Sequence, residues 1–284
     1  MEILFLSLVI VTTSLQSVFK KRLNKKCVDC EFSVGTLISF FSLVYFLIVS
    51  KNLTFTWELF PYSLAFAICY AVATVTCVLA LNTGSLAFTE LMLSYSSTLP
   101  LLYGILFMKD PLTIWKITGI ILLLVSFLFT YYKPKGQKQT FRKSWLVYVI
   151  LLFLSNGGCG VVMRMQQNRF SGATDSSFMV FSLIMVVMFL LTASLIRKEK
   201  VLLAIKHGWH LTGICGACNG AANYFSLLCL LMIPGTIYYP FTSAGGLTLS
   251  YIYSIAIYKE KFNKWQIIGF ILGVLSMILV NLSF

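Results

Sequence analysis

Glu90 stands inside Ser85–Met108, SLAFTELMLSYSSTLPLLYGILFM, a run that would span roughly 36 Å as a helix at about 1.5 Å per residue. A charged side chain at the centre of such a run costs about 2.5–3.5 kcal/mol even on insertion scales, so an intramembrane acid points to function. Helical spacing from Glu90 puts Ser94, Ser97 and Thr98 on one face, at i+4, i+7 and i+8. Pro100 follows, bending the helix and freeing a carbonyl near the same depth. One acid among hydroxyls suits a proton, an amine or a polar solute. The alternative is an acid in the first helical turn, complementing the dipole and reaching out to the interface.

Other polar groups recur at helical spacing within apolar runs. Asn219, Asn223 and Ser226 form a stripe at i, i+4 and i+7, with Tyr70, Thr74 and Cys77 as a weaker one. Tyr239 and Ser243 lie four apart before Gly245-Gly246, and Thr13, Gln16 and Lys20 share a side of the first run. Such amides also serve as hydrogen-bonding glue between membrane helices, and tyrosine and lysine as interfacial anchors, the reading given to Lys20. The candidate substrate-binding set is Glu90, Ser94, Ser97, Asn219, Asn223, Tyr70, Tyr239 and Ser243. With one acid and no central lysine or arginine, it suits a small amine, an amino acid or a neutral polar metabolite better than a strong anion.

Cysteine offers a second chemistry. Cys27 and Cys30 form a CxxC in a loop, and Cys215 and Cys218 another in an apolar run, after His207 and His210. A structural zinc needs four converging ligands, and these pairs lie in different settings, so neither metal nor cofactor is expected. Nor does a nucleophile or acid–base constellation suggest an enzyme.

The elements that position these groups follow from composition. At 58% hydrophobic, 11% charged and mean hydropathy +0.88, the chain is no soluble domain. Ten apolar spans are expected, near 3–19, 33–50, 62–81, 85–108, 112–132, 145–163, 177–196, 210–232, 236–258 and 265–284. No cleavable leader is expected, because Met1-Glu2 leads directly into an apolar run. The net charge of +13 sits in short loops, which argues against nucleic acid as a partner.

The chain also repeats itself. At an offset of 150, Tyr103, Ile105, Lys109, Trp115, Ile117, Gly119, Ile121, Leu122 and Ser126 match Tyr253, Ile255, Lys259, Trp265, Ile267, Gly269, Ile271, Leu272 and Ser276. Lys21 and Arg164, and Thr13 and Asn156, correspond more weakly. Residues 1–132 and 145–284 are therefore two five-helix repeats joined by the basic linker Lys133–Ser144. An odd number of spans per half inverts the second relative to the first. Loops after spans one, five, seven and nine hold 17 of the 22 Lys and Arg, which puts them in the cytoplasm and both termini outside.

Span-turn-span patterning of this kind resembles the drug/metabolite transporter superfamily, specifically ten-span EamA-type members. Ile233–Leu282 resembles the last two helices of small multidrug resistance proteins: an Ile-Pro turn, an aromatic before a small-residue run, the Lys259-Glu260 link and an IIG-initiated final helix. The resemblance implies an all-α integral membrane protein of ten transmembrane helices in two inverted repeats. It further implies a cavity between the halves and alternating access without ATP. The expected role is secondary transport of a small polar or cationic metabolite in the plasma or inner membrane, among lipids, with protons as a candidate co-ligand, by a monomer or homodimer. A lipid or lipid-linked-sugar flippase is the alternative within the superfamily. Thr13 and Asn156 stand where the small multidrug proteins carry their first-helix glutamate, so that residue's role does not transfer here.

Overall fold

The computed structural model describes residues 2–26, 30–50, 53–54, 56–108, 113–131, 143–170, 174–199, 201–232, 235–260 and 262–281. Cys27, Lys109–Pro111, the Ile233–Pro234 turn and linker residues 133–142 lie outside these, as do the side chains of His207 and Tyr239.

Among the described residues the chain is all α apart from one 3-10 turn, Trp57–Leu59. The helices are α1 (Glu2–Lys26), α2 (Glu31–Val49), α3 (Phe60–Thr83), α4 (Leu86–Tyr95), α5 (Thr98–Phe107) and α6 (Ile114–Tyr131). They continue with α7 (Lys143–Phe170), α8 (Asp175–Ile196), α9 (Val201–Met232), α10 (Gly235–Ala256) and α11 (Lys264–Asn281). Five of the described helices are long and apolar enough to cross a bilayer: residues Ile3–Leu23, Glu31–Val49, Trp57–Thr83, Lys143–Phe170 and Asp175–Ile196. Large apolar side chains on the outer faces, such as Ile48, Met188 and Leu195, fit a lipid-facing surface.

Two boundaries differ from the hydropathy reading. The fourth run is two helices, because Ser96 and Ser97 form a turn. Ser96 N, Ser97 N and Leu99 N reach back three residues, to Leu93 O, Ser94 O and Ser96 O, at 3.1–3.2 Å. Pro100, lacking the N–H that would bond Ser96 O, then falls in the first turn of α5, where no intrahelical donor is needed. The proline breaks the helix a turn before itself. Second, Val201–Trp209, read as a basic loop, is the first part of α9.

Helix pairs pack in matching sets. The first, α1, lies on α9 and α10, as α7 lies on α3 and on α4 with α5; α2 meets α9 as α8 meets α3. Two further pairs in contact are α2 with α8 and α6 with α11. Across the α6–α11 contact, Ser126 Oγ donates to Gly269 O at 2.5 Å and Ser276 Oγ to Gly119 O at 3.0 Å. Gly216 and Gly220, at GxxxG spacing on α9, let it approach α2 closely. A Cβ on Gly216 would come within 2.6 Å of Ile38 O, and one on Gly220 within 2.7 Å of Tyr45 Cβ.

Two helix ends share a device. Lys198 and Lys259 take left-handed φ of 54° and 52°, and Glu199 N and Glu260 N bond back to Ser194 O and Ser254 O. Each turn delivers its glutamate to another helix's N-terminus. Glu199 accepts from Phe32 N, Ser33 N and Ser33 Oγ at the start of α2 (3.2, 2.7 and 2.6 Å). Glu260 accepts from Leu86 N at 3.2 Å and Ser85 Oγ at 2.6 Å at the start of α4. Carboxylates at helix N-termini satisfy orphan N–H groups and oppose the dipole.

Candidate functional site

Glu90 lies on α4, 8% exposed, facing α1 rather than reaching outward. Ser17 and Lys20 of α1 are the groups that act on its carboxyl, and its Oε1 has no hydrogen-bond partner among the described residues. The interfacial reading of Glu90 therefore gives way to a buried one. Burial this complete follows from α4 being covered by α1, α3, α7, α10 and α11.

Lys20 is the residue the sequence reading misplaced. It is 9% exposed, and Glu90, Tyr70, Cys77 and Cys215 lie in Coulombic range of its ammonium. The central lysine that the sequence reading left out is present, and the case against an anionic group in the ligand no longer holds. A signal was available: Lys20 continues the Thr13–Gln16 face, whereas Lys21 and Arg22 do not.

Tyr70 of α3 joins this cluster to α9. Asn219 Nδ2 donates to Tyr70 Oη at 2.6 Å, and Asn223 Nδ2 donates to Asn219 Oδ1 at 2.6 Å. Ser226, next on the stripe, receives Tyr238 Oη at 2.6 Å and itself donates to Ala222 O. Gln16 Nε2 is buried with no acceptor among the described residues, one helical turn from Lys20, and Cys215 Sγ meets Gln16 O at 3.7 Å. Glu90, Lys20, Tyr70, Asn219 and Asn223 thus form one polar centre where α1, α3, α4 and α9 meet.

The remaining candidates fall elsewhere. Ser97 Oγ donates to Ser94 O at 2.8 Å, within the break. That break is tied to α7, where Asn156 Nδ2 donates to Ser96 Oγ at 2.5 Å and Arg164 Nη1 to Pro100 O at 3.0 Å. The carbonyl that Pro100 cannot bond, Ser96 O, accepts from Leu99 N instead, and the group Arg164 reaches is Pro100's own carbonyl. Ser243 lies partly buried on α10, the helix whose Gly246 O receives Ser14 Oγ at 3.4 Å. Thr13 Oγ1 is held by its own helix, at Val9 O, 2.8 Å. Cys30 and Cys215 are buried and Cys218 is partly buried. His210 is exposed and stacks on Trp209 at 3.6 Å between centroids.

One end of α4 is locked. Lys21 pairs with Glu260 and also donates to Gly84 O at 3.3 Å, its ammonium 5.0 Å from the Tyr258 ring centroid. Glu260 further accepts from Ser254 Oγ, and Tyr258 Oη donates to Val18 O at 2.6 Å. Burial pushes the Glu260 carboxyl up, but the Lys21 ammonium and the Ser254 and Ser85 hydroxyls outweigh it, leaving the group below its ordinary range.

No family model matches the chain, and no curated protein does. Chains of solved structures do match, 25 of them. One crystal structure of another protein superposes with a TM-score of 0.65 over 97% of this chain and 94% of that one, at 12% identity. At that identity the likeness concerns the fold alone.

Proposed function

We propose that the chain is a secondary active transporter of the EamA type, built as ten spans in two inverted five-helix repeats, 1–132 and 145–284. It moves a small polar or cationic metabolite across the plasma or inner membrane by alternating access. The observation that carries this reading is the buried centre itself. Glu90 and Lys20 lie within the helix bundle, and a hydrogen-bonded chain from Tyr70 through Asn219 to Asn223 links α3 to α9. Polar groups so placed are costly in a membrane and mark solute or ion paths.

The repeat reading is supported by contacts that map onto one another when residue numbers shift by 150. Ser126 reaches Gly269 while Ser276 reaches Gly119. Gly157, whose Cβ would meet Ser96 O at 2.8 Å, stands to Ser96 as Ser14 stands to Gly246. The alternation of loops between two sides is supported by which loops meet. Lys21, Gly84 and Glu260, from loops after spans one, three and nine, lie together, as do Glu58 and Arg169 from loops after spans two and six, at 3.8 Å.

In this mechanism Glu90 is the coupling group. A proton or the amine of a solute satisfies its carboxyl, and a satisfied site permits the inward–outward change, so one group links two fluxes. The Lys21–Glu260–Ser85 lock closes one end of α4 and must part for access from that side. The test compares metabolites taken up and released by cells with wild-type protein, with Glu90→Gln and with none, followed by flux of the responding solute in proteoliposomes under an imposed pH gradient. Glu90→Gln should insert normally and lose gradient-driven flux. Full pH-driven transport by that variant would remove Glu90 from coupling.

A further inference from the structure

We infer that Glu199 is a one-sided latch between the two halves, which rests the protein closed on the face of the loops after spans one, three, seven and nine. This builds on the inverted-repeat transport reading above and adds what sets its resting conformation. The turn after α8 belongs to the second half and the start of α2 to the first. Glu199 joins them by accepting from Phe32 N, Ser33 N and Ser33 Oγ at 3.2, 2.7 and 2.6 Å. The end of α8 adds Ser194 Oγ, 2.7 Å from Ser33 Oγ, and Arg197, whose guanidinium lies 4.9 Å from the Phe32 ring centroid. Ser33 and Ser194 are both fully buried, so the two halves meet there without a gap.

The opposite face carries the counterpart of this contact without the charge. The helix α8 opens Asp175-Ser176-Ser177 as α2 opens Glu31-Phe32-Ser33, and Ser177 Oγ accepts from Thr54 N of the α2–α3 connection at 3.0 Å. Residues 50–56 of that connection contain no Asp or Glu, so the counterpart tie is a neutral hydrogen bond. Asp175 binds within its own half, accepting from Gln167 Nε2 at 3.3 Å. The charged pair that does cross on that face, Glu58 with Arg169 at 3.8 Å, keeps 70% and 65% exposure and is screened by water. The Glu260 lock differs, because the repeat sets Arg164 and Asp110 against Lys21 and Glu260; Asp110 lies outside the described residues.

In an inverted repeat, opening one face is the two-fold equivalent of opening the other, so identical halves would populate both states equally. A tie made on one face alone tilts that equilibrium by its own free energy. Hydrogen bonds to a carboxylate are about twice as strong as neutral ones, and Glu199 accepts from three donors where Ser177 accepts from Thr54. The resting state is therefore closed where Glu199 acts.

Hydrogen–deuterium exchange on the protein in lipid nanodiscs tests this, comparing wild type with Glu199→Gln. Loss of the latch should speed exchange about tenfold at the start of α2 and also at the start of α4, which Glu260 holds rather than Glu199. On the opposite face, the starts of α3 and α8 should exchange more slowly as that face closes. Misfolding or a lost helix cap cannot produce a slowing. Ser33→Cys with Ser194→Cys, added to Glu199→Gln, should restore the wild-type pattern once oxidised to a disulfide and lose it on reduction. Faster exchange confined to the start of α2 would make Glu199 a helix cap only and overturn the inference. Faster exchange on both faces, an unchanged pattern in Glu199→Gln, or a disulfide that restores nothing would overturn it too. The expected pattern without solute flux in proteoliposomes keeps the latch and refutes the transport reading; flux with unchanged exchange does the reverse.

Discussion

Glu260→Gln should cost about 2–3 kcal/mol of stability, somewhat below the 3–5 kcal/mol typical of removing one partner from a fully buried ion pair. The discount comes from geometry. The Lys21 and Glu260 side chains retain 11% and 16% exposure, and Lys21 keeps Gly84 O and the Tyr258 ring when the carboxylate goes. The amide preserves shape but lacks the charge that gathers Lys21, Ser85, Ser254 and the N-terminus of α4. At about 2–4 °C per kcal/mol, the melting temperature of the detergent-purified protein should fall by roughly 5–10 °C. Acid should do the same to the wild type. A native pKa held below the ordinary value of 4.5 means the lock contributes fully above pH 4.5 and is lost as pH falls through the lower native value. Glu260→Gln should lack that acid-dependent loss. Combining it with Lys21→Met should add much less than the sum of the two single effects. A variant melting within 1 °C of wild type, roughly the shift expected of a surface ion pair, would refute the reasoning.

Gly84→Ala should destabilise by about 1–3 kcal/mol, since the new methyl would sit 2.2 Å from the buried Trp145 ring; Trp145→Leu should relieve part of the cost in a thermal melt. Lys259→Gly should raise the melting temperature, because a left-handed φ of 52° costs a lysine about 1 kcal/mol that glycine does not incur. Single cysteines in Lys133–Ser144 and Arg197–Trp209, on a cysteine-free background, should resist an impermeant thiol reagent in intact cells; labelling at both would reverse the orientation. Replacing Cys215 and Cys218 with alanine should leave flux largely intact, and a zinc lost from the purified protein on that change would restore the metal reading.

The chain's apolar runs and their helical periodicity are local properties, so the sequence by itself determined an all-helical molecule with span-length elements and the place of its punctuation. It also offered Glu90 as a buried acid, because an ionisable group inside a largely apolar run of span length has few other places to go. Tyr70, Asn219 and Asn223 were legible as stripes, although their joining was not: two stripes 149 residues apart meet only if α3 and α9 do. The break in α4–α5 was half legible, since Pro100 announces one but not its position a turn earlier at Ser96-Ser97.

Only the tertiary structure decided between neighbouring lysines. Lys20 and Lys21 are alike in hydropathy and adjacent in a basic run, but successive helical residues point roughly 100° apart. One is thereby turned toward Glu90 and the polar centre, and the other toward Glu260, 239 residues away. A loop charge count treats them as equals. What separates the lysine of the polar centre from the lysine of the Glu260 lock is which helix covers it, and that depends on packing among helices far apart in the chain.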